Sequence, residues 1–412
     1  MSSGQVVAAL APLAAGPVVG RLYPPTDYAA LALYMALAGL LGTVSVLRYD
    51  KAILAERSER AATSLIRLCA WLALATAAVS VPISATIVVA MGESATYGAT
   101  RWWLLTLPIL VLSTGLSGAM SEFLLRHGAF GMLGRLRAVS SLLAVSGSIT
   151  FGLLGFGAHG LIANYTLASL ATTLLIHRQF RRIGTGGGAP LREGHARVLL
   201  RRHKPFAFYT MPTELIGMAF HNLPVFALSV VGALPLLGTF VRARQLVFLP
   251  IQLVGSAILN VFRASAMEDL RAGRSFLPRY DKTLLSLLAI GLPSMMILWL
   301  IAPTVVVVYL GPAWVEAGDI ARWLTPLLLL RILAMPAGAV FQVGGWQKAG
   351  FRLHSCACAC GALMIAIAVI ADMPAHSIVA IYVIIYAVLC VMSLARARCL
   401  SAFNAKSIPE HC

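Results

Sequence analysis

The sequence predicts an all-α, polytopic membrane protein with about twelve transmembrane helices. Of the 412 residues, 59% are hydrophobic and only 11% are charged, whereas a soluble domain carries about 25% charged residues. The apolar residues lie in runs long enough to cross a bilayer, which takes about 20 residues per helix. Because backbone groups in lipid must be hydrogen-bonded within their own segment, each run is predicted to be a helix.

The apolar runs place these helices in chain order. The predicted helices cover residues 5–20, 27–47, 66–91, 102–124, 136–156, 158–176, 206–231, 233–262, 283–309, 319–344, 350–371 and 376–395. The first run is short for a complete crossing. No basic residue precedes it, which does not favour a cleaved signal peptide.

The net charge of +17 is distributed so that it predicts an orientation. Every second loop is basic, and these loops carry Arg48, Lys51, Arg57 and Arg60, then Arg126, Arg135 and Arg137, then Arg178 to Lys204, and later Arg263 to Lys282, Lys348 and Arg352, and Arg396 to Lys406. The loops between them carry little beyond Arg21 and Arg101. Because Lys and Arg beside transmembrane helices stay in the cytoplasm, both termini are predicted to be cytoplasmic. Basic clusters beside apolar runs indicate contact with the lipid bilayer rather than with nucleic acid.

A basic, glycine-rich connection divides the chain. Residues 179–204 contain GTGGGAP between arginine-rich flanks; the stretch lacks Walker spacing and is interpreted as a cytoplasmic linker. It separates an N-terminal six-helix bundle (1–178) from a C-terminal six-helix bundle (205–395), and 396–412 is predicted to be a cytoplasmic tail. The outer loops have about ten residues each. They are too short for a catalytic domain, so the sequence predicts no enzyme and no catalytic residue. The seven cysteines show no spacing typical of metal ligands, and no metal site or cofactor is predicted.

Charged residues inside predicted helices are candidate functional residues, because a charge in the bilayer core is costly. One face of the eighth predicted helix carries a polar stripe of Arg242, Gln245, Gln252, Ser256 and Asn260. We expect Arg242 to point into an aqueous cavity and Arg244, on another face, to pair elsewhere. The alternative is that both arginines extend to the outer interface.

Two further helices carry deep polar residues. Arg331 lies near the middle of the tenth predicted helix, with a structural ion pair as the alternative to a substrate-binding role. Glu214 and His221 share a face of the seventh helix and are a candidate ion-coupling pair, because histidine titrates near neutrality. They could equally be structural partners of the arginines. The excess of deep basic residues favours an anionic substrate, since arginine binds phosphate through two parallel hydrogen bonds.

Four segments resemble motifs of bacterial polysaccharide exporters. RLYPPTDYAALALY is similar to their R-L-Y-x-P-x-D-F-G entry to the second helix, and LRYDKAILAERSERAA to their R-Y-D/E-x-A-I-x-L-P segment. LPIQLVGSAILNVF is similar to L-P-x-x-L-I-G-x-A, and LGPAWVEAGDIARWLTPLLLLRILAMPAGAVFQVGGWQ to G-x-x-W-x-x-A-G-x-Y…L-x-P…P-x-x-x-V-F…Q. The chain departs from these patterns at Tyr28-Ala29 and at Leu54-Ala55. It therefore resembles the polysaccharide-biosynthesis (Wzx-type) flippases of the multidrug/oligosaccharidyl-lipid/polysaccharide exporter superfamily.

This resemblance implies two six-helix bundles around a central cavity and alternating access in the bacterial cytoplasmic (inner) membrane. The implied substrate is a polyprenyl-diphosphate-linked oligosaccharide, moved from the inner to the outer leaflet for lipopolysaccharide or exopolysaccharide biosynthesis. A polysaccharide polymerase and assembly proteins are candidate partners. Arg48, with Arg242 and Arg331, would bind the diphosphate; a local pair of Arg48 with Asp50 is the structural alternative. A small-molecule or drug antiporter of the same superfamily is the alternative function.

Overall fold

The computed structural model of the chain describes residues 3–56, 58–92, 98–183, 193–271, 275–343 and 346–402. Twelve helices within these residues have 20 or more residues. Ten spans are long and apolar enough to cross a membrane, and Val6–Leu22 is a shorter apolar helix. The twelfth is a helix of 38 residues that contains the predicted polar stripe. The predicted all-α, polytopic membrane fold is confirmed.

The helices follow one another along the chain with short connections. They are α1 Ser3–Leu22, α2 Pro25–Val44, α3 Asp50–Ala55, α4 Glu59–Ala90, α5 Leu107–Arg126, α6 Phe130–Leu153, α7 Gly157–Ile183, α8 Glu193–Arg202, α9 Met211–Val231, α10 Leu234–Arg271, α11 Leu277–Leu310, α12 Val315–Val343, α13 Gln347–Ile370 and α14 Ala375–Ser401. Short 3₁₀ segments at Gly98–Thr106 and Pro312–Trp314 precede α5 and α12. A π-helical turn at Phe206–Thr210 precedes α9.

Several helices continue beyond the apolar run that predicted them. Helix α4 begins at Glu59 rather than at residue 66, and α7 ends at Ile183 rather than at residue 176. Arg, Glu and Ala are good helix formers, so the helical backbone persists where the sequence turns polar. Hydropathy locates the apolar part of each helix and misses these polar ends.

The connection at 179–204 is partly helical. Helix α8 lies inside it, and Leu199 is buried there against α3 and α4. The Tyr49 hydroxyl donates a hydrogen bond to the Leu200 carbonyl at 3.2 Å. Part of this connection therefore packs onto the N-terminal helices. Residues 184–192, which include the glycine-rich stretch, lie outside the described residues.

Contacts between Cα atoms divide the chain into two compact units, residues 1–219 and 220–412. The division falls inside α9, downstream of the linker that we predicted at 179–204. The assignment of 1–178 and 205–395 as two six-helix bundles stays a prediction.

In the first unit, α5 and α7 pack against each other and both contact α2. Hydroxyl groups join them: the Ser113 and Thr173 hydroxyl oxygens lie 2.6 Å apart, and those of Tyr34 and Thr166 lie 2.9 Å apart. Small polar residues of this kind let membrane helices approach and hydrogen-bond across their interface. Helix α1 packs against α6.

In the second unit, α12 is the central helix and contacts α10, α11, α13 and α14. Ion pairs join helix ends at the two ends of this unit. At one end Arg398 Nε lies 3.0 Å from Asp281 Oδ1, and at the other His376 Nε2 lies 3.2 Å from Glu316 Oε1. The basic connections before α11 and after α14 therefore meet at the same end of this unit, as their alternation along the chain predicts.

The close contact of α12 with α11 generates a stability prediction. A Cβ added to Gly318 would lie 2.8 Å from the Pro303 Cα atom, whereas one added to Gly338 on the same helix meets nothing within 4 Å. Gly318→Ala should destabilise the protein by about 1–3 kcal/mol, the usual cost of overpacking. Gly338→Ala should be neutral or slightly stabilising, because alanine is the better helix former. Thermal unfolding in detergent, followed by tryptophan fluorescence, measures both. Equal melting temperatures for the two variants would contradict the proposed tight packing.

Candidate functional site

The two N-terminal residues of the predicted polar stripe, Arg242 and Gln245, contact each other on α10. Arg242 Nη1 donates a hydrogen bond to Gln245 Oε1 at 2.9 Å, so the two side chains share a face, as expected of residues three positions apart. Arg242 is buried with 9% of its surface exposed. The side chains of Gln252 and Asn260 lie outside the described residues, so their part in the stripe stays a prediction.

Arg244 is also buried, with 7% of its surface exposed. Its Nη1 donates a hydrogen bond to the carbonyl oxygen of His221 at 2.6 Å. Its Cζ lies 5.1 Å from the centroid of the Phe240 ring. Arg244 is thus held inside the second unit by a backbone oxygen and an aromatic face. Which of the two α10 arginines faces a substrate stays a prediction.

Arg331 lies near the middle of α12, between two aromatic rings. Its Cζ is 4.6 Å from the Phe248 centroid and 5.6 Å from the Tyr386 centroid. Its Nη1 is buried without a hydrogen-bond partner, and no carboxylate in the described part of the chain forms an ion pair with it. The alternative of a structural ion pair is therefore not what this structure contains.

Aromatic rings in edge-to-face and tilted contact link Arg244, which is buried, to Arg331, which is partly buried. The Tyr386 and Tyr382 centroids lie 5.6 Å apart, and the Tyr382 and Phe240 centroids lie 6.0 Å apart. We call Arg244, Arg331, Phe240, Phe248, Tyr382 and Tyr386 the aromatic–arginine cluster. It draws on α10, α12 and α14. Guanidinium groups over ring faces are stabilised by the ring quadrupole, which leaves their net positive charge in place.

Acidic side chains are remote from this cluster in the chain. No Asp or Glu occurs between Glu214 and Glu268, which leaves most of α10 without a carboxylate. In the described part of the second unit, Asp269 pairs with Arg279 at 2.6 Å near the ends of α10 and α11. Among the described residues, no carboxylate forms an ion pair with Arg331.

In the first unit, Arg48 lies in a tight connection between α2 and α3. Leu47 and Arg48 have φ angles of 49° and 61°, in the left-handed region that residues other than glycine rarely adopt. This backbone directs Arg48 toward Glu214 of α9, with which it forms a close ion pair. Arg48 Nη1 also lies 4.0 Å from Asp50 Oδ2. The predicted local pair with Asp50 is therefore present, and Glu214 is a second partner.

The two carboxylates around Arg48 differ in exposure. The Asp50 side chain is 5% exposed, and burial raises the pKa of its carboxyl group, although Lys51 and Arg48 partly oppose this. Lys51 is itself engaged, with Nζ 2.5 Å from Glu122 Oε1. The Glu214 side chain is 39% exposed. Glu214 is the partner of Arg48 that is accessible to solvent.

A buried carboxylate fixes the approach to α9. The Glu56 side chain is 2% exposed, and its Oε2 lies 3.0 Å from His203 Nε2. Arg202 Nη2 lies 3.5 Å from Glu56 Oε1. These contacts hold the end of α8 against the start of α4, a few residues before the π-helical turn that leads into α9. Glu214 reaches Arg48 from this anchored position.

Of the sequence-predicted residues, Arg48 and Glu214 lie together in the first unit, and Arg242 lies with Gln245 in the second. His221 contributes its backbone carbonyl to Arg244. Sequence reasoning did not identify the aromatic rings, because Phe248, Arg331 and Tyr386 are far apart in the chain. The sequence signal for part of this cluster is local: Phe248 lies four residues, about one helical turn, after Arg244. An aromatic residue at that spacing is too common in membrane helices to identify a site.

Comparisons with known proteins agree on the fold. The model of a family described as polysaccharide biosynthesis protein matches residues 18–319. The lipid II flippase MurJ, in an inward closed conformation, superposes with a TM-score of 0.76 at 13% identity, covering 98% of this chain and 87% of that one. An inward-facing multidrug resistance MATE family transporter of the MOP superfamily has a TM-score of 0.66 at 18% identity, covering 98% and 95%.

A MOP superfamily transporter from Pyrococcus furiosus, described as having a binding pocket of reverse polarity, has a TM-score of 0.56 at 20% identity, and the match covers 98% of this chain and 94% of that one. Among curated proteins, none matches this chain in sequence. At these identities the solved structures establish a shared transporter fold, and the family match confirms the resemblance found in the sequence motifs.

The buried carboxyl group of Asp50 generates a pH prediction. Because its pKa is raised in the folded state, the folded protein binds this proton more tightly than the unfolded chain does. The free energy of unfolding therefore falls as the pH rises through that raised pKa. Asp50→Asn does not ionise, so its melting temperature should match that of the wild type near pH 4 and exceed it at pH 8. Melting curves across this range test the expectation. A difference that does not change with pH would assign the loss to another group.

Proposed function

We propose that this chain, which belongs to the polysaccharide biosynthesis protein family, is a flippase for a polyprenyl-diphosphate-linked oligosaccharide. It would move this lipid from the inner to the outer leaflet of the bacterial cytoplasmic membrane by alternating access, for surface polysaccharide biosynthesis. The observation that carries the proposal is Arg331, a charge in the middle of α12 that stacks on two rings and has no carboxylate partner among the described residues. The likeness in fold to a lipid II flippase supports it.

A diphosphate needs cations along its path, because moving an unpaired anion into a low-dielectric region is costly. An arginine already neutralised by a protein carboxylate would contribute little to that need. Arg331 has no carboxylate partner among the described residues, and its buried Nη1 donates no hydrogen bond there. A second donor set is Arg242 with Gln245, one turn apart on α10. We propose that these residues bind the diphosphate, with Gln252 and Asn260 further along the same stripe.

Arg48 would take part through an exchange of partners. Its pair with Glu214 is only partly buried, with side chains 23% and 39% exposed, and pairs of this kind contribute about 0–1 kcal/mol. A diphosphate can accept two parallel hydrogen bonds from one guanidinium, which is a stronger interaction. The incoming headgroup would therefore displace Glu214, and Glu214 would hold Arg48 in place when the substrate is absent.

We propose an orientation in which the basic connections and both termini lie in the cytoplasm, the side from which the lipid-linked substrate would be taken up. A polysaccharide polymerase and assembly proteins would act on the product at the opposite surface. The alternative function, a drug or cation antiporter, would use Glu214 and His221 for ion coupling. It requires that the carboxylate, not the arginines, be indispensable.

Removal of a deep arginine should slow lipid transport. Arg331→Gln and Arg242→Gln should each slow flipping by about tenfold or more, since a hydrogen bond to a charged group contributes about 1.5–3 kcal/mol. The assay is translocation of a fluorescent polyprenyl-diphosphate oligosaccharide in proteoliposomes. Arg398→Gln, which removes an exposed arginine paired with Asp281, is the control and should flip normally. Wild-type rates in both deep-arginine variants would overturn the proposed role.

The exchange at Arg48 makes a separate prediction about binding. Glu214→Gln removes the competing carboxylate and should tighten binding of polyprenyl diphosphate by up to about fivefold, the value of an exposed ion pair. Arg48→Gln should weaken it. Thermophoresis of each purified variant, titrated with polyprenyl diphosphate, measures the change in affinity. If Glu214→Gln instead abolishes transport and leaves lipid binding unchanged, the antiporter alternative is supported.

A further inference from the structure

A third arginine inside the second unit lies apart from the aromatic–arginine cluster. Arg322 lies on α12, and its Cζ is 4.1 Å from the centroid of the Trp299 ring on α11. Its Nε is buried without a hydrogen-bond partner. The described residues form no ion pair with it, including Asp319, the nearest acidic residue in the sequence. Within the described residues, the contact recorded for this guanidinium is with the face of the Trp299 ring.

The surroundings of this pair are apolar and open to the bilayer. Trp299 is 40% exposed, and its neighbours Met296 and Leu300 are 57% and 63% exposed. On α12 the residue next to Arg322, Trp323, is 67% exposed. Both helices belong to apolar membrane spans. Exposed large apolar side chains on a membrane-spanning helix contact acyl chains, so Arg322 lies at the edge of a lipid-facing surface.

The depth of the pair is close to the boundary between headgroups and acyl chains. Arg322 is one to two turns from the first residue of α12, or about 10 Å at 1.5 Å per residue. Helices α11 and α12 have 34 and 29 residues and so extend beyond a hydrocarbon core about 30 Å thick. A lipid phosphate can reach a guanidinium at this level, whereas a soluble anion would have to enter the apolar layer.

We infer that Arg322 and Trp299 form a binding site for the phosphate headgroup of an anionic phospholipid of the bilayer. An arginine in a membrane span is costly unless a counter-charge is available, and the described protein residues supply none. Trp299 and Trp323 would lie beside the lipid headgroup, the level at which tryptophan is enriched in membrane proteins. This site is independent of the proposed transport reaction, because it uses none of the residues assigned to the oligosaccharide lipid.

Tryptophan quenching by brominated lipids tests the site. The full chain is reconstituted in bilayers that contain acyl-brominated phosphatidylglycerol or acyl-brominated phosphatidylcholine at equal mole fraction. The chain has seven tryptophans, so the signal of Trp299 is obtained as the difference between wild type and Trp299→Phe. We expect that signal to report about fivefold enrichment of the anionic lipid, equivalent to about 1 kcal/mol for one basic residue at the surface.

Variants make the test specific to Arg322. Arg322→Gln should abolish the preference for the anionic lipid at Trp299, and Arg322→Lys should keep most of it. Arg398→Gln, an exposed arginine at the opposite end of the unit, should leave it unchanged. Equal quenching by both lipids in the wild type, or a preference that survives Arg322→Gln, would overturn the inference. The inference would also be overturned if polyprenyl diphosphate displaced the brominated phosphatidylglycerol from Trp299 and unbrominated phosphatidylglycerol at the same mole fraction did not.

Discussion

The charge of Arg331 lies inside an apolar helical unit, and aromatic rings rather than an acid stabilise it. Cation–π contacts contribute about 0.5–2 kcal/mol when partly desolvated, and they leave the net charge intact. To supply two rings, the fold must bring α10 and α14 against the middle of α12. The packing of the second unit around α12 is therefore also what holds an uncompensated positive charge in place.

In the first unit, by contrast, several charged side chains have partners of opposite charge. Arg48 pairs with Glu214, Lys51 with Glu122, and Glu56 with His203, all near the ends of helices, where a polar surface is available. In such pairs the opposite charges are balanced without a ligand, and pairs that are partly exposed are weak enough to be exchanged. The two units thus contain two kinds of cation. Arg48 is paired with a carboxylate that an anion could replace, and Arg331 has no carboxylate partner among the described residues.

Glycine and hydroxyl side chains allow this arrangement in an apolar medium. A membrane bundle gains little from hydrophobic burial between helices, so close packing and hydrogen bonds must hold it together. Gly318 lets α12 approach the backbone of α11 at Pro303, and Ser113 and Thr173 join α5 to α7. The contact at Gly318 sets the position of α12, the helix that carries Arg331. A shift of one helix would separate an arginine from its ring or its carboxylate.

The sequence by itself determined the fold class, the approximate position of each long helix and the family, because hydropathy, loop charge and short motifs are local properties. It also singled out Arg242, Arg331 and Glu214, because a charged residue in an apolar run is conspicuous, and it singled out Arg48 through the motif that the segment LRYDKAILAERSERAA resembles. The tertiary structure alone decided their partners. Glu214 contacts Arg48 across many intervening residues, and Phe248 and Tyr386 reach Arg331 from separate helices. Such contacts depend on how helices pack, and the periodicity of a single helix carries no information about its neighbours.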